Sequence, residues 1–86
     1  MPGSLRSPRH ALLRELLIEQ RKAHGLTQED VAQRLGKPQS LVAKYEGGER
    51  RLDVVEFVDV ATAIGADPVE IIRSLIRATA ATSATM

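Results

Sequence analysis

The stretch LTQEDVAQRLGKPQSLVAKYEGGERR, residues 26–51, decides the fold of this chain. It contains two short runs of helix-forming residues whose apolar positions recur at helical spacing, and Gly36 lies between them. Thr27 is a typical N-cap residue, so the first helix is expected to begin directly after it. We therefore predict a helix-turn-helix, with one helix over residues 28–35 and a second over residues 39–46.

Three more helices are predicted on either side of this helix-turn-helix. Ser7 before Pro8 is a helix start, because serine caps backbone N–H groups and proline needs no partner at the first helical position. Asp53 and the pair Asp67-Pro68 give a similar signal later in the chain. No segment alternates with the period of two that strands require. The expected fold is all-α with five helices, the further three lying over residues 8–23, 54–64 and 69 to about 78.

One domain accounts for the ordered part of the chain. A length of 86 residues is typical of a single domain, and a hydrophobic fraction of 43% suits a globular protein. Residues 1–7 are expected to form a disordered lead, and residues 8–78 are expected to form the domain. The low-complexity segment over residues 79–86 is expected to be a flexible tail.

The composition excludes several kinds of site and location. The chain has no cysteine, which excludes a disulfide framework and a thiolate metal site. His10 and His24 have no ligand partners at metal-binding spacing, and the chain has no Gly-rich phosphate loop or nucleophile motif. We therefore expect no metal, no cofactor and no enzyme activity. No apolar run is long enough to span a membrane and no secretory signal is present, so a cytoplasmic protein is expected.

The charge is distributed unevenly along the chain. Residues 1–51 contain ten Lys or Arg and six Asp or Glu, a net charge of +4, whereas residues 52–86 contain two and five, a net charge of −3. The overall net charge of +1 therefore conceals a basic half that contains the helix-turn-helix. A positive face of this kind favours binding to phosphate groups.

The second helix of the helix-turn-helix has the shape and the side chains to enter the DNA major groove. The amide of Gln39 offers a donor and an acceptor that match adenine, the hydroxyl of Ser40 can act as either, and Lys44 can donate to guanine. Outside this motif, such residues would be ordinary surface positions. A helix of two turns reads only a few base pairs, so useful specificity implies two copies on a two-fold site.

An apolar stripe on the last predicted helix indicates that the second copy is a partner in a homodimer. The stripe is wider than one core contact requires, and an exposed apolar patch usually marks an interface. We expect an isologous contact that also involves part of the preceding helix, although the stripe could instead belong wholly to the core. Besides Val69, the stripe contains the residues assigned to the dimer contact, which are Ile71, Ile72, Leu75 and Ile76.

The chain resembles the Cro and repressor-type, or XRE-like, helix-turn-helix family of phages and bacteria. The resemblance rests on the motifs LTQEDVA, LG, QS-x-V, YE-x-GERR and VA-x-AIGADP, and it extends from about residue 13 to residue 75. It is strongest to small single-domain regulators, including the controller proteins of restriction-modification systems. It implies a lambda-repressor-like domain that regulates transcription as a homodimer on a palindromic operator of double-stranded DNA. Autoregulation, as a repressor or as both repressor and activator, is implied as well.

The resemblance also assigns DNA contacts to individual residues. Gln28 matches a glutamine that binds a DNA phosphate and braces the first residue of the reading helix. Gln39 and Ser40 match the principal base-reading positions of the family. Lys44 matches a position that reaches a base or a phosphate.

Further roles implied by the resemblance concern the phosphate backbone and the fold. Arg50 and Arg51 fall in the loop that touches the DNA backbone. Arg21 and Glu46 match a partly buried ion pair of several repressors, the alternative being two independent surface charges. If the pair is buried, the loss of one partner would leave an uncompensated charge.

Some contacts and partners stay open at this point. Pro38 stands where the family often has Ser or Thr as a helix cap, so Lys37 is expected to take over the contact with the DNA backbone. Glu29 is either a solvated residue at a helix start or a contact for RNA polymerase sigma factor. The alternative function is that of an antitoxin or protein-binding adaptor of a toxin–antitoxin or mobile-element system.

Overall fold

The computed structural model describes residues 7–84, and this part of the chain contains five α-helices joined by short loops. They are α1 (Pro8–Ala23), α2 (Gln28–Leu35), α3 (Gln39–Glu46), α4 (Val54–Ile64) and α5 (Pro68–Ala84). No strand occurs within these residues. The prediction of an all-α fold is confirmed, and the predicted bounds of the first four helices agree with the structure.

The fifth helix is longer than the sequence analysis predicted. The expected helix end lay near residue 78 and residues 79–86 were assigned to a flexible tail, whereas α5 continues to Ala84. Half of residues 79–84 are alanine, the residue of highest helix propensity, and neither glycine nor proline interrupts the segment. The lead predicted over residues 1–7 lies outside the described residues except for Ser7.

Side-chain caps start the first two helices where the sequence places them. The Oγ of Ser7 accepts a hydrogen bond of 3.0 Å from the backbone N–H of His10. Thr27 and Asp30 form a reciprocal capping box, in which each side chain accepts from the other residue's backbone N–H at 3.0 and 2.9 Å. The Thr27 N–H also lowers the pKa of the Asp30 carboxyl. Gly36 then ends α2 with a φ of +68°, which glycine adopts without steric cost.

The core is built mostly from aliphatic side chains, and all five helices contribute to it. The second helix packs on α3 and α4, and α5 packs on α1 and α4. This arrangement buries one face of α3 and leaves its other face at the surface. The buried hydrophobic residues are Leu17, Val31, Ala32, Val42, Tyr45, Phe57, Val60, Ala61, Ile64 and Ile71.

The apolar stripe of α5 divides between the core and the surface. Ile71, which the sequence analysis assigned to the dimer contact, is only 5% exposed and is a core residue of the single chain. This assignment was wrong because α5 lies across α1 and α4, and the face that carries Ile71 points inward. Leu75 is half-buried. Ile72 and Ile76 remain 42% and 62% exposed, so the surface part of the stripe is narrower than predicted.

Candidate nucleic-acid interface

The outward face of α3 carries four exposed side chains of different chemistry. The helix begins after Pro38, which provides no side-chain cap, so the packing of the buried inner face holds it in place. The outward face offers an amide, a hydroxyl, a methyl group and an ammonium group, which belong to Gln39, Ser40, Ala43 and Lys44. The base edges in the major groove present hydrogen-bond acceptors, hydrogen-bond donors and the thymine methyl group, and this set contains a group that can contact each of them.

A chain of hydrogen bonds fixes the position of Gln39 at the start of α3. The Nε2 of Gln39 donates to the Oε1 of Gln28 at 2.8 Å. The Nε2 of Gln28 in turn donates to the Oε1 of Glu46 at 2.9 Å. Because Gln28 is the first residue of α2 and Glu46 is the last residue of α3, these bonds tie both ends of α3 to the start of α2.

An ion pair with α1 completes this chain. The Nε of Arg21 lies 2.7 Å from the Oε2 of Glu46, and its Nη2 donates to the Oε1 at 3.1 Å. The remaining guanidinium nitrogen of Arg21, Nη1, donates to the carbonyl oxygen of Leu26 at 2.9 Å. The side chains of Arg21 and Glu46 are only 12% and 6% exposed, and the hydrogen bond to Glu46 raises the pKa of Arg21. This bidentate pair therefore joins α1, α3 and the segment before α2 in the interior.

Arg50 also has an acidic partner, which the sequence analysis did not foresee. Its Nη2 and Nη1 donate to the two carboxylate oxygens of Glu56 at 2.7 and 3.2 Å. The hydrogen bonds raise the pKa of Arg50 and lower that of Glu56. Glu56 Oε1 also accepts from the backbone N–H of Asp53 at 3.0 Å in the capping box that starts α4. Arg50 thus braces the loop between α3 and α4, and a phosphate would have to compete with Glu56 for it.

Three other cations surround α3 and are exposed. Lys37 precedes the helix, Lys44 lies on its outward face, and Arg51 follows it in the loop that leads to α4. They lie in the half of the chain that carries the net positive charge. This distribution places donors for phosphate oxygens before, along and beyond the exposed face of α3.

Two comparisons with known proteins assign the family. The helix-turn-helix family model matches residues 17–71, which contain all of α2, α3 and α4. An XRE-family like protein from Pseudomonas syringae pv. tomato str. DC3000 is 49% identical, with a TM-score of 0.80 over 83% of this chain and 87% of that chain. The chain belongs to the XRE family of helix-turn-helix proteins.

Restriction-modification controller proteins are also similar to this XRE-family chain. C.AhdI from Aeromonas hydrophila is 34% identical, with a TM-score of 0.66 over 72% of this chain and 94% of that chain. A mutant of C.Esp1396I shares the fold at 19% identity, with a TM-score of 0.74 over 85% of this chain and 92% of that chain. No curated protein sequence matches the chain. The XRE family is one of DNA-binding regulators, not of enzymes.

The sequence analysis missed one arginine that supports α3 in this XRE domain. The Nη1 of Arg14 donates to the carbonyl oxygen of Glu46 at 3.4 Å, at the end of α3. The guanidinium lies against Gly48, where an added Cβ would be 3.3 Å from the Cζ of Arg14. Arg14 lies seven residues before Arg21, and residues two turns apart share one helix face. That spacing was the signal that both arginines face α3.

None of the helices in the described part of the chain combines the length and the apolar character that a membrane span requires. Between residues 7 and 84, no three acidic or histidine side chains are grouped as metal ligands. The Nδ1 of His24 lies 2.8 Å from the carbonyl oxygen of Gln20, and His10 is half-buried in the first turn of α1.

Proposed function

We propose that this chain is a sequence-specific DNA-binding transcriptional regulator that binds a palindromic operator as a homodimer. The observation that carries the proposal is the outward face of α3, where Gln39 is exposed and held by Gln28. The name of C.AhdI, a restriction-modification controller protein, supports a regulatory role here as well. In this proposal α3 enters the major groove and the residues around it bind the phosphate backbone.

The exposed groups of α3 suit the reading of bases. A glutamine amide has two N–H donors, and Gln39 uses one of them on Gln28. Its carbonyl oxygen and its second N–H stay available, which is the combination that binds adenine N6 and N7. Ser40 can donate or accept, and Lys44 can donate to guanine O6 and N7 one turn further along the helix.

Phosphate contacts would fix the register of α3 without reading sequence. Gln28 keeps one N–H after it donates to Glu46, and this half-buried residue is bonded to the exposed Gln39. Lys37 and Arg51 add two exposed cations at the two ends of α3. Arg50 contributes to this surface mainly through the loop that it holds.

A second copy of the chain would cover the exposed apolar residues of α4 and α5. Within the described part of the chain, the exposed large hydrophobic side chains all lie on α4 and α5, and these two helices pack against each other. An isologous contact through this surface would place two copies of α3 on a two-fold site. The residues are Val54, Val55, Val58, Val69, Ile72 and Ile76, and we include the half-buried Leu75.

The regulated site in this proposal is an operator near the promoter of the protein's own gene in a bacterial or phage genome. Repression follows when the bound dimer blocks RNA polymerase in the cytoplasm. Activation requires a contact with polymerase, and Glu29 is exposed at the start of α2, where sigma factor could reach it. No cofactor or inducer is needed, because the dimer concentration alone can set the occupancy of the operator.

Fluorescence anisotropy tests the proposed function directly. The duplex from immediately upstream of the gene is compared with a shuffled duplex of equal length, at low and at physiological salt. We expect a preference of at least about 10³ for the upstream duplex, which is near the lower bound for specific recognition. Equal, weak and strongly salt-dependent binding to both would contradict autoregulation, and a protein partner of the adaptor type would then be sought by pull-down.

The substitution Gln39→Ala is expected to remove discrimination at one base pair of each half-site. The lost amide pairing is worth about 1–3 kcal/mol of discrimination, while binding to non-specific DNA stays nearly unchanged. The measurement is the dissociation constant for operator duplexes changed at single positions. Gln33→Ala is the matched control, because Gln33 is an exposed glutamine on α2. An unchanged preferred sequence in Gln39→Ala would contradict the assignment of α3 as the reading helix.

The substitution Arg51→Ala is expected to weaken binding to every sequence by a similar factor. Removal of one phosphate contact lowers the slope of log K against log salt by about one per monomer. Salt titrations of the operator and of the shuffled duplex measure this slope. Arg73→Ala is a charge-matched control on α5, where the arginine is 61% exposed and 3.6 Å from Glu70. A slope that responds equally to both substitutions would count against a specific phosphate contact at Arg51.

A further inference from the structure

We infer that Glu46, a buried residue out of reach of DNA, is a positioning residue that determines which base Gln39 reads. The inference rests on the proposed function, because it concerns the base-reading role of Gln39. Glu46 would act through Gln28 by fixing the direction of the hydrogen bonds between the two glutamines. The three residues are linked by bonds of 2.9 and 2.8 Å.

The direction of this chain follows from the chemistry of its inner end. The carboxylate of Glu46 is held by two donors of Arg21, so it is ionised and can only accept hydrogen bonds. Gln28 must therefore turn its Nε2 toward Glu46, which turns its Oε1 toward Gln39. Because that oxygen only accepts, Gln39 must donate its Nε2 to it. One negative charge in the interior thus sets the orientation of two amides in succession.

The orientation decides what Gln39 offers to a base. With its Nε2 turned toward α2, the amide presents its carbonyl oxygen on the other side together with the second N–H. That order of acceptor and donor suits adenine, which displays a donor at N6 and an acceptor at N7. If the amide were reversed, the carbonyl oxygen would be bound to Gln28 and two N–H donors would face outward. Two donors suit guanine, whose O6 and N7 both accept.

The substitution Glu46→Gln is expected to reverse the chain. The shortest bond of Arg21 runs from its Nε to the Oε2 position, and we expect the amide oxygen of the new side chain to take that position. The NH₂ group then takes the place of Oε1, where it faces Gln28 and also the Nη2 of Arg21. Gln28 would then turn its oxygen inward and donate to Gln39. The backbone of Gln39 and its place on α3 would stay as they are, and only the direction of its amide would change. We therefore expect altered base preference at the position that Gln39 reads, and not merely weaker binding.

The test begins with wild-type protein and a pool of random duplexes, from which the preferred site is selected. Gln39→Ala then identifies the base pair read by Gln39. Anisotropy with the four variants of that base pair gives the preference of each protein as a ratio of dissociation constants, in which a smaller folded fraction cancels. We expect Glu46→Gln to lower the preference for adenine over guanine by at least about fivefold, the smaller end of what a bidentate pairing contributes.

Two further proteins keep the test decisive. The double variant Arg21→Met, Glu46→Met removes the acceptor while replacing the buried pair with apolar side chains of similar size, a change that many folds tolerate. It should lose the preference at the same base pair. Glu56→Gln is the control, because Glu56 is paired with Arg50 but has no link to Gln28 or Gln39; the preference should persist.

The outcomes distinguish the base-reading role of Gln39 from the positioning role of Glu46. Wild-type protein that selects no site, or a Gln39→Ala variant that keeps the wild-type preference, overturns the proposed base reading and the inference with it. A site that depends on Gln39 but is read with the same preference after both changes at Glu46 overturns the inference alone. Loss of preference in Glu56→Gln to the same degree would also overturn it, because the effect would then be a general result of weakening the domain.

Discussion

Replacement of Arg21 by alanine is expected to lower the free energy of unfolding by about 3–5 kcal/mol, because it leaves the buried carboxylate of Glu46 without its cation. Both side chains are at most 12% exposed and are joined by bonds of 2.7 and 3.1 Å. A domain of this size has about 4–13 kcal/mol of stability in total. The loss is therefore a large share of the total stability. Urea denaturation at one fixed protein concentration measures the change.

Arg50→Ala is the matched control for this prediction. Arg50 also forms two hydrogen bonds with one carboxylate, but the side chains of this pair are 40% and 34% exposed. Water screens such a pair, so its loss should lower the free energy of unfolding much less than the loss of the Arg21–Glu46 pair does. If the two substitutions lowered the free energy of unfolding equally, burial would not explain the stability that the Arg21–Glu46 pair contributes.

The substitution Ile76→Glu is expected to prevent dimerisation without unfolding the chain. Ile76 is 62% exposed in the single chain, so a glutamate there is solvated in the monomer and is buried only in the dimer. An isologous interface contains the change twice, and each unpaired buried carboxylate costs several kcal/mol. We expect the dimer dissociation constant to rise at least about 10³-fold, at 1.4 kcal/mol for each factor of ten. Sedimentation equilibrium measures this constant, and circular dichroism checks the helix content.

A carboxylate placed elsewhere distinguishes the interface from a general effect of charge. Gln33→Glu introduces the same group at an exposed position of α2 and should leave the dimer constant unchanged. The affinity for the palindromic operator should fall in Ile76→Glu only, since a monomer reads one half-site. If the dimer dissociation constant of Ile76→Glu equals that of the wild type, the proposed contact does not involve the exposed stripe of α5.

Local signals were sufficient to predict most of the helix bounds. The caps at Ser7 and Thr27 and the turn at Gly36 depend on residues within three or four positions, and each is found in the structure. The end of α5 was placed too early because the low complexity of the last residues suggested a flexible tail, whereas the alanines in residues 79–84 favour a helix.

Contacts between distant segments were harder to predict. Ile71 and Ile72 are neighbouring apolar residues of α5, so the sequence does not show which of them is buried. The placement of α5 across α1 and α4 puts Ile71 in the core and leaves Ile72 at the surface. The Arg50–Glu56 pair shows the same limit, because the loop sequence around Arg50 does not indicate that its side chain binds an acidic partner on α4. The link from Gln28 to Glu46 joins residues 18 positions apart and has no local signature.

The bonds around Gln39 have a further consequence for the thermodynamics of recognition. A long polar side chain that becomes fixed only on binding loses about 0.5–1.5 kcal/mol of rotamer freedom at that step. Gln39 is already held by Gln28 before any DNA arrives. This part of its conformational entropy is therefore lost during folding, so in the proposed complex Gln39 would be preorganised for reading a base. If Gln39 reads a base as proposed, folding and recognition share the same hydrogen bonds, and a change that loosens the interior also weakens the discrimination between bases.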